Sequence, residues 1–158
     1  MHFSFIKELF PQYGVDIQME KSVETVYIRN RQFEDPIVIH YFSDGYYAYL
    51  LQFATQHCDV SSKEELIQYA LAFANAEKAA IEFFENGKNR FGGEIEVSLL
   101  DQITYDKLRN LFGYPHLDLT NLTFKVRAWD TRYSFDGYFE NGGSNSINII
   151  KKYVKGTP

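Results

Sequence analysis

Between two runs of β-branched and aromatic residues, 37–42 and 46–53, the chain carries the pair Asp44-Gly45. No other feature constrains the fold as strongly. Glycine takes up the positive φ of a primed two-residue turn without steric cost, so the pair predicts a β-hairpin and antiparallel pairing of the runs it joins. Pro36 opens the first of these strands, and residues 23–29, rich in β-branched and aromatic side chains, predict a strand before them.

Helical signals interrupt this β pattern. Residues 3–10 place Phe3, Ile6 and Phe10 at helical spacing, with Pro11 and Gly14 as stops. Ser61 and Ser62 each stand three residues before a glutamate, the capping-box arrangement. Behind them Leu66, Ile67, Ala70, Leu71 and Ala74 form an apolar stripe of 3.6-residue period. Thr104 caps a short predicted helix over 105–112, closed by Gly113 and Pro115.

The stretch 79–85 admits two readings. It continues the helix before it, with Gly87 as the stop, or it is a strand turned back by Asn86-Gly87 into residues 90–97. The apolar stripe lapses at Glu77 and Lys78, and Asn-Gly is the preferred hairpin dipeptide, so the strand is favoured. Phe-Glu-Asn-Gly recurs at 139–142, which is reused turn chemistry and too short for a repeat. Residues 122–129 alternate as a half-buried strand should, Asp130-Thr131 predicts a turn, and 132–135 alternate again. After the glycines at 142 and 143, Ile147, Ile150 and Val154 predict a final amphipathic helix with a basic outer side.

These elements describe one α+β domain over residues 1–158, without linker or repeat. Its sheet is mainly antiparallel, with about five to seven strands and three or four helices packed on one face.

Composition narrows the function more than it identifies it. The net charge of −5 repels polyanions, which argues against a general nucleic-acid-binding role. The basic clusters, Arg29 with Arg31, Lys88 with Arg90, and Lys151, Lys152 and Lys155, match no nucleic-acid-binding motif. One cysteine, Cys58, excludes an internal disulfide and fits a reducing, cytoplasmic setting. No apolar run is long enough to span a bilayer, and the first residues do not read as a signal peptide. The aromatic content, 14 Phe and 12 Tyr with a single Trp, suits half-buried strand positions and binding faces alike.

Motifs for phosphate-binding loops, nucleophile elbows and helical zinc sites are missing from the sequence, and no cofactor or metal is expected. His57-Cys58 invites a thiol–imidazole reading. Neighbours on an extended chain point to opposite sides, which leaves His40 as the other imidazole to consider; a packed thiol in a strand-to-helix connection is the better reading. Glu82, Glu94 and Glu96 are candidate paired carboxylates, with Lys88 or Arg90 as the compensating cation and a solvated strand face as the blander account.

The favoured function is a small acidic module that binds a protein, of the immunity or inhibitor type, and neutralises a basic partner through Glu24, Glu34, Asp35 and Asp44. An enzyme or small-ligand binder is the alternative, its polar pocket at strand ends lined by Gln56, His57, Arg90 and Glu94. Trp129, between Arg127 and Asp130, is a candidate interface anchor or else the largest plug of the core. A third reading is a structural subunit that forms a homodimer through an open sheet edge.

Overall fold

The structure is a computed structural model that describes residues 2–31, 35–44, 48–54, 56–112, 119 and 122–139, together with the backbone of 147–152. The chain divides into two compact units, Met1–Asn75 and Ala76–Pro158, at a point where the sequence has no linker. Each unit is built on a five-stranded sheet in which every pairing is antiparallel. The α+β class is as expected, and the strands are shared between two sheets instead of one.

The first unit opens with a short helix α1 (Ile6–Leu9), followed by the meander β1 (Gly14–Glu20), β2 (Val23–Arg29), β3 (Ile37–Phe42), β4 (Tyr49–Phe53) and β5 (Gln56–Val60). Helix α2 (Lys63–Ala74) closes it. The hairpin foreseen at Asp44-Gly45 is present: Tyr41 pairs with Tyr49, and the Phe42 N–H donates to the Ala48 carbonyl at 3.0 Å. The second strand begins at Tyr49 rather than at 46, and Gly45 itself lies outside the described residues. The apolar residues of the predicted 3–10 helix are buried as their spacing required, with Phe3 and Ile6 inaccessible and Phe10 nearly so. Only one turn of regular helix forms there.

Two strands of this sheet escape the sequence reading. In β1 the apolar alternation of Val15, Ile17 and Met19 is diluted by Asp, Gln and Glu, residues of low strand propensity. β5 is an edge strand of mostly polar residues. Its hydrogen bonding to β4 makes it a strand, where the sequence predicted a connection to the helix.

Strand alternation sends Val26, Ile28, Ile37, Ile39, Leu51 and Phe53 to one face of the sheet, all inaccessible to solvent. Helix α2 packs on β3, β4 and β5 with Leu66, Ala70, Phe73 and Ala74 buried. The Phe73 and Phe53 rings lie 4.9 Å apart between the two layers. Ser62 caps the helix by accepting the Glu65 N–H at 3.1 Å. The Glu65 carboxylate reaches one residue further back than a regular capping box, to the Ser61 N–H at 3.1 Å and the Ser61 hydroxyl at 2.9 Å.

The second unit runs β6 (Lys78–Glu85), β7 (Lys88–Glu96), a 3₁₀ segment Val97–Gln102, α3 (Tyr105–Leu111), β8 (Thr123–Ala128), a 3₁₀ turn Thr131–Tyr133, β9 (Phe135–Phe139) and β10 (Ile147–Lys152). The sheet order is β10-β9-β8-β6-β7. The strand reading of 79–85 holds, and Asn86 and Gly87 both take positive φ, 50° and 79°, as a primed turn demands. Thr104 caps α3 by accepting the Lys107 N–H.

Two expectations are corrected here. Residues 132–133 form a 3₁₀ turn, because the Asp130 side chain accepts the Arg132 N–H and draws the chain round before β9 begins. Residues 147–152 form a strand on β9 and not the start of a helix. A spacing of 147, 150 and 154 satisfies a helix, yet Ile147, Ile149 and Ile150 are β-branched, and residues 147–149 and 151–152 pair with β9, with a register shift at Ile150.

The core of this unit gathers Ala79, Ile81 and Phe83 of β6, Ile95 of β7, Phe124, Val126 and Ala128 of β8, Phe139 of β9 and Leu108 of α3. A glycine, Gly137, stands opposite Phe124 in the β8–β9 register, and the Phe124 ring fills the space a side chain there would occupy.

Candidate functional site

The face of the first sheet turned away from α2 is the surface with the most to offer chemically. Register and alternation place two complete rows on it. One runs Gln18, Thr25, His40, Leu50 and Asp59, and the next runs Asp16, Tyr27, Val38, Gln52 and His57. Val23 and Phe42 pair beside them, with Glu20 opposite Val23. The central side chains Tyr27, Val38, Phe42 and Leu50 are half-buried by their neighbours, while Asp16, Glu20, His57 and Asp59 on the edge strands are exposed. The result is a centre in which the apolar Tyr27, Val38, Phe42 and Leu50 surround the polar Thr25, His40 and Gln52, with carboxylates at both edges.

His40 sits in the middle of this face. Its Nδ1 is 3.0 Å from the Thr25 hydroxyl, and the Gln52 side chain hydrogen-bonds the imidazole from the next strand. Burial lowers its pKa below the ordinary histidine value of 6.5, and the Gln52 bond opposes that shift only in part. The imidazole therefore stays neutral near pH 7, acting as a hydrogen-bonded strand residue. His57 lies across the β4–β5 ladder from Gln52.

Cys58 stands in the row Val26, Ile39, Leu51, Cys58, on the opposite side of the sheet from His40. His57, its neighbour in an extended strand, also points away from it. Neither imidazole on this sheet shares a face with the thiol.

The other side chains singled out in the sequence are dispersed. Gln56 is half-buried on the α2 side of β5, and so parts from His57. Arg90 is the extra residue of a bulge, where the register passes from Phe83–Phe91 to Phe84–Asn89, and its Nε lies 3.3 Å from Glu85 in an exposed pair. Glu94 is bound by Lys78 at 3.0 Å, so the compensating cation comes from the neighbouring strand β6 and not from Lys88 or Arg90. Glu82 is 5 % exposed and faces Lys125 across the β6–β8 ladder.

Arg127 stands in one row with Glu94, on the far side of Ala80. Its guanidinium is held by Asp136 at 2.7 Å and by the carbonyls of Val126 and Phe135. Trp129 is 2 % exposed, so it is an interior plug and not a surface anchor. Asp130 accepts the Arg132 N–H and guanidinium.

The expected acidic face changes most. Glu24 is 1 % exposed, on the inner side of β2, where its carboxylate accepts the backbone N–H groups of His2 at 2.6 Å and Phe3 at 2.7 Å. The His2 ring then stacks on Tyr41 with centroids 4.0 Å apart, and its Nε2 is 3.2 Å from the Tyr49 hydroxyl. Glu24 is thus an internal clamp for the first residues. Asp35 and Asp44 are exposed, and Glu34 lies outside the described residues. The carboxylates that do share a face, Asp16, Glu20 and Asp59, sit on the two strands the sequence reading missed. Recognition of the Val15-Ile17-Met19 alternation was the signal that finds the first two.

Two cavities avoid all these residues. A groove of about 450 Å³ in the second unit is lined by Ile95, Leu99, Ile103, Lys107, Leu108, Asn110 and Leu111. A larger one, about 930 Å³, lies in the first unit between residues 11–14 and 29–31. Among the described residues no group of three or more His, Cys, Asp and Glu is placed to hold a metal ion, and no helix is long and apolar enough to cross a membrane. No family model, curated protein or solved structure matches the chain.

Proposed function

We propose that this protein is a protein-binding module that docks a basic partner on the helix-free face of its first unit. One observation carries the reading: Tyr27, Val38, Phe42 and Leu50 form a half-buried centre between Asp16 and Glu20 on one edge strand and Asp59 on the other. An apolar centre rimmed by charge is how protein interfaces divide their labour. The centre supplies desolvation and packing, and the rim supplies orientation and encounter rate. The net charge of −5 adds a long-range field of the sign that draws in a cationic surface. An immunity- or inhibitor-type role, in which the acidic face masks a basic partner, is the finer form of this reading. A cytoplasmic setting fits its single cysteine, Cys58.

The test is affinity capture from lysate of the native cell with three baits: the wild-type chain, the charge reversal Asp16→Lys/Glu20→Lys/Asp59→Lys, and Phe42→Ala. A basic protein held near one-to-one by the wild type, released at high salt and missed by both variants, is the expected result. The reading fails if nothing is captured, or if the charge reversal captures the same partner with the same salt dependence.

A further inference from the structure

The 930 Å³ cavity of the first unit is lined by Pro11, Gln12, Tyr13, Gly14, Arg29, Asn30 and Arg31. Its volume is in the range of small-molecule sites. Its charge is at odds with the rest of the chain, since Arg29 and Arg31 line it and, among the described residues, no acidic side chain does. Three of the four arginines elsewhere are balanced by carboxylates: Arg90 by Glu85, Arg127 by Asp136 and Arg132 by Asp130, while Arg109 lies over the Tyr105 ring. Among the described residues neither Arg29 nor Arg31 makes an ion pair. Like charges gathered on one concave wall raise each other's energy and attract an anion.

The wall is also ordered. The Arg29 guanidinium lies over the Tyr27 ring, 5.3 Å from its centroid, which limits how far the side chain can swing. Tyr13 is fixed at its tip, where the hydroxyl donates to the Ala74 carbonyl at 3.4 Å, and its ring leans on Phe10 at 6.4 Å. From these observations we infer that the cavity binds a small organic phosphomonoester. The phosphate takes the forked donors of Arg29 and Arg31, for which a planar guanidinium is the matched partner. The organic body lies along the Tyr13 ring. The inference does not depend on the protein-docking face: the cavity adjoins that face where Arg29 lies over Tyr27, but its own lining is basic where the rim of the face is acidic.

Isothermal titration of the full chain at low ionic strength tests it, with phenyl phosphate, inorganic phosphate and phenol as probes. Saturable one-to-one binding of phenyl phosphate, weaker binding of inorganic phosphate and none of phenol is expected. Equal affinity for the two phosphates would keep the anion site and assign it to free phosphate. Arg29→Gln and Arg31→Gln should each weaken binding by about tenfold, the effect of losing one charge-assisted pair. Arg29→Lys and Arg31→Lys should fall between, because they keep the charge and lose the fork. Arg109→Gln, at an arginine over the Tyr105 ring in the other unit, should bind as the wild type does. The inference is overturned if no probe saturates at millimolar concentration, if Arg29→Gln/Arg31→Gln with an intact far-ultraviolet circular dichroism spectrum binds unchanged, or if Arg109→Gln weakens binding equally.

Discussion

Glu24 and Phe3 are joined through the interior of the first unit: the carboxylate accepts the Phe3 N–H at 2.7 Å, and both residues are almost wholly shielded from solvent. The same carboxylate takes the His2 N–H at 2.6 Å. Glu24→Ala leaves two N–H groups without their acceptor and should cost about 2–4 kcal/mol, whereas Glu24→Gln keeps one acceptor oxygen and should cost about half as much. Urea denaturation of the two variants measures the difference. Equal losses would mean that packing, and not the clamp, holds the first residues.

His40 gives stability a pH dependence whose sign follows from its surroundings. Burial lowers its folded pKa below the value of 6.5 that the unfolded chain shows. Between the two values the unfolded state binds the proton and the folded state does not. Its contribution is therefore complete above about pH 6.5 and is lost as pH falls through the folded pKa. His40→Gln should flatten the slope of unfolding free energy against pH below about pH 6.5. A slope unchanged by the substitution would assign the dependence to other groups.

At the turn between β6 and β7, Gly87 has φ of 79°, and a methyl group added there would meet nothing within 4 Å. Gly87→Ala therefore isolates the backbone cost of a positive φ, about 1–2 kcal/mol. Equilibrium unfolding should show that loss with an unchanged denaturant m-value.

Gly137 is the opposite case. Its backbone is ordinary, but an added Cβ would stand 2.5 Å from the tip of the inaccessible Phe124 ring. Gly137→Ala should cost about 1–3 kcal/mol through overpacking. Trimming the ring in Gly137→Ala/Phe124→Leu should recover part of the loss beyond what Phe124→Leu alone predicts. A double-mutant cycle with no coupling between the two would show that the clash is relieved elsewhere.

The sequence showed most clearly those elements whose local chemistry and tertiary role agree. Ser62 and the stripe to Ala74, the Asn86-Gly87 turn, residues 23–29 and the β3–β4 pairing are all of this kind. Edge strands were harder to see, because an edge buries one row at most and tolerates polar residues throughout, as in β5. The fate of Glu24 could not be read from its own neighbourhood. Its partners lie 22 and 21 residues away, and a carboxylate between Val23 and Thr25 reads as a solvent-facing residue until strand parity is known. Spacing along the chain likewise could not reveal that His40 and Cys58 belong to opposite faces, since that depends on the register of two ladders.

Every strand pairing in the first unit joins neighbours in sequence, so each hairpin can close against the one before it with only a short loop to order. In the second unit β8 must find β6 across the residues of β7, the 3₁₀ segment and α3, a much longer closure. Loop-closure entropy and contact order set folding speed more than stability does. Amide protection during refolding should therefore appear in the meander first, and the pairing of β6 with β8 should pace the completion of the chain.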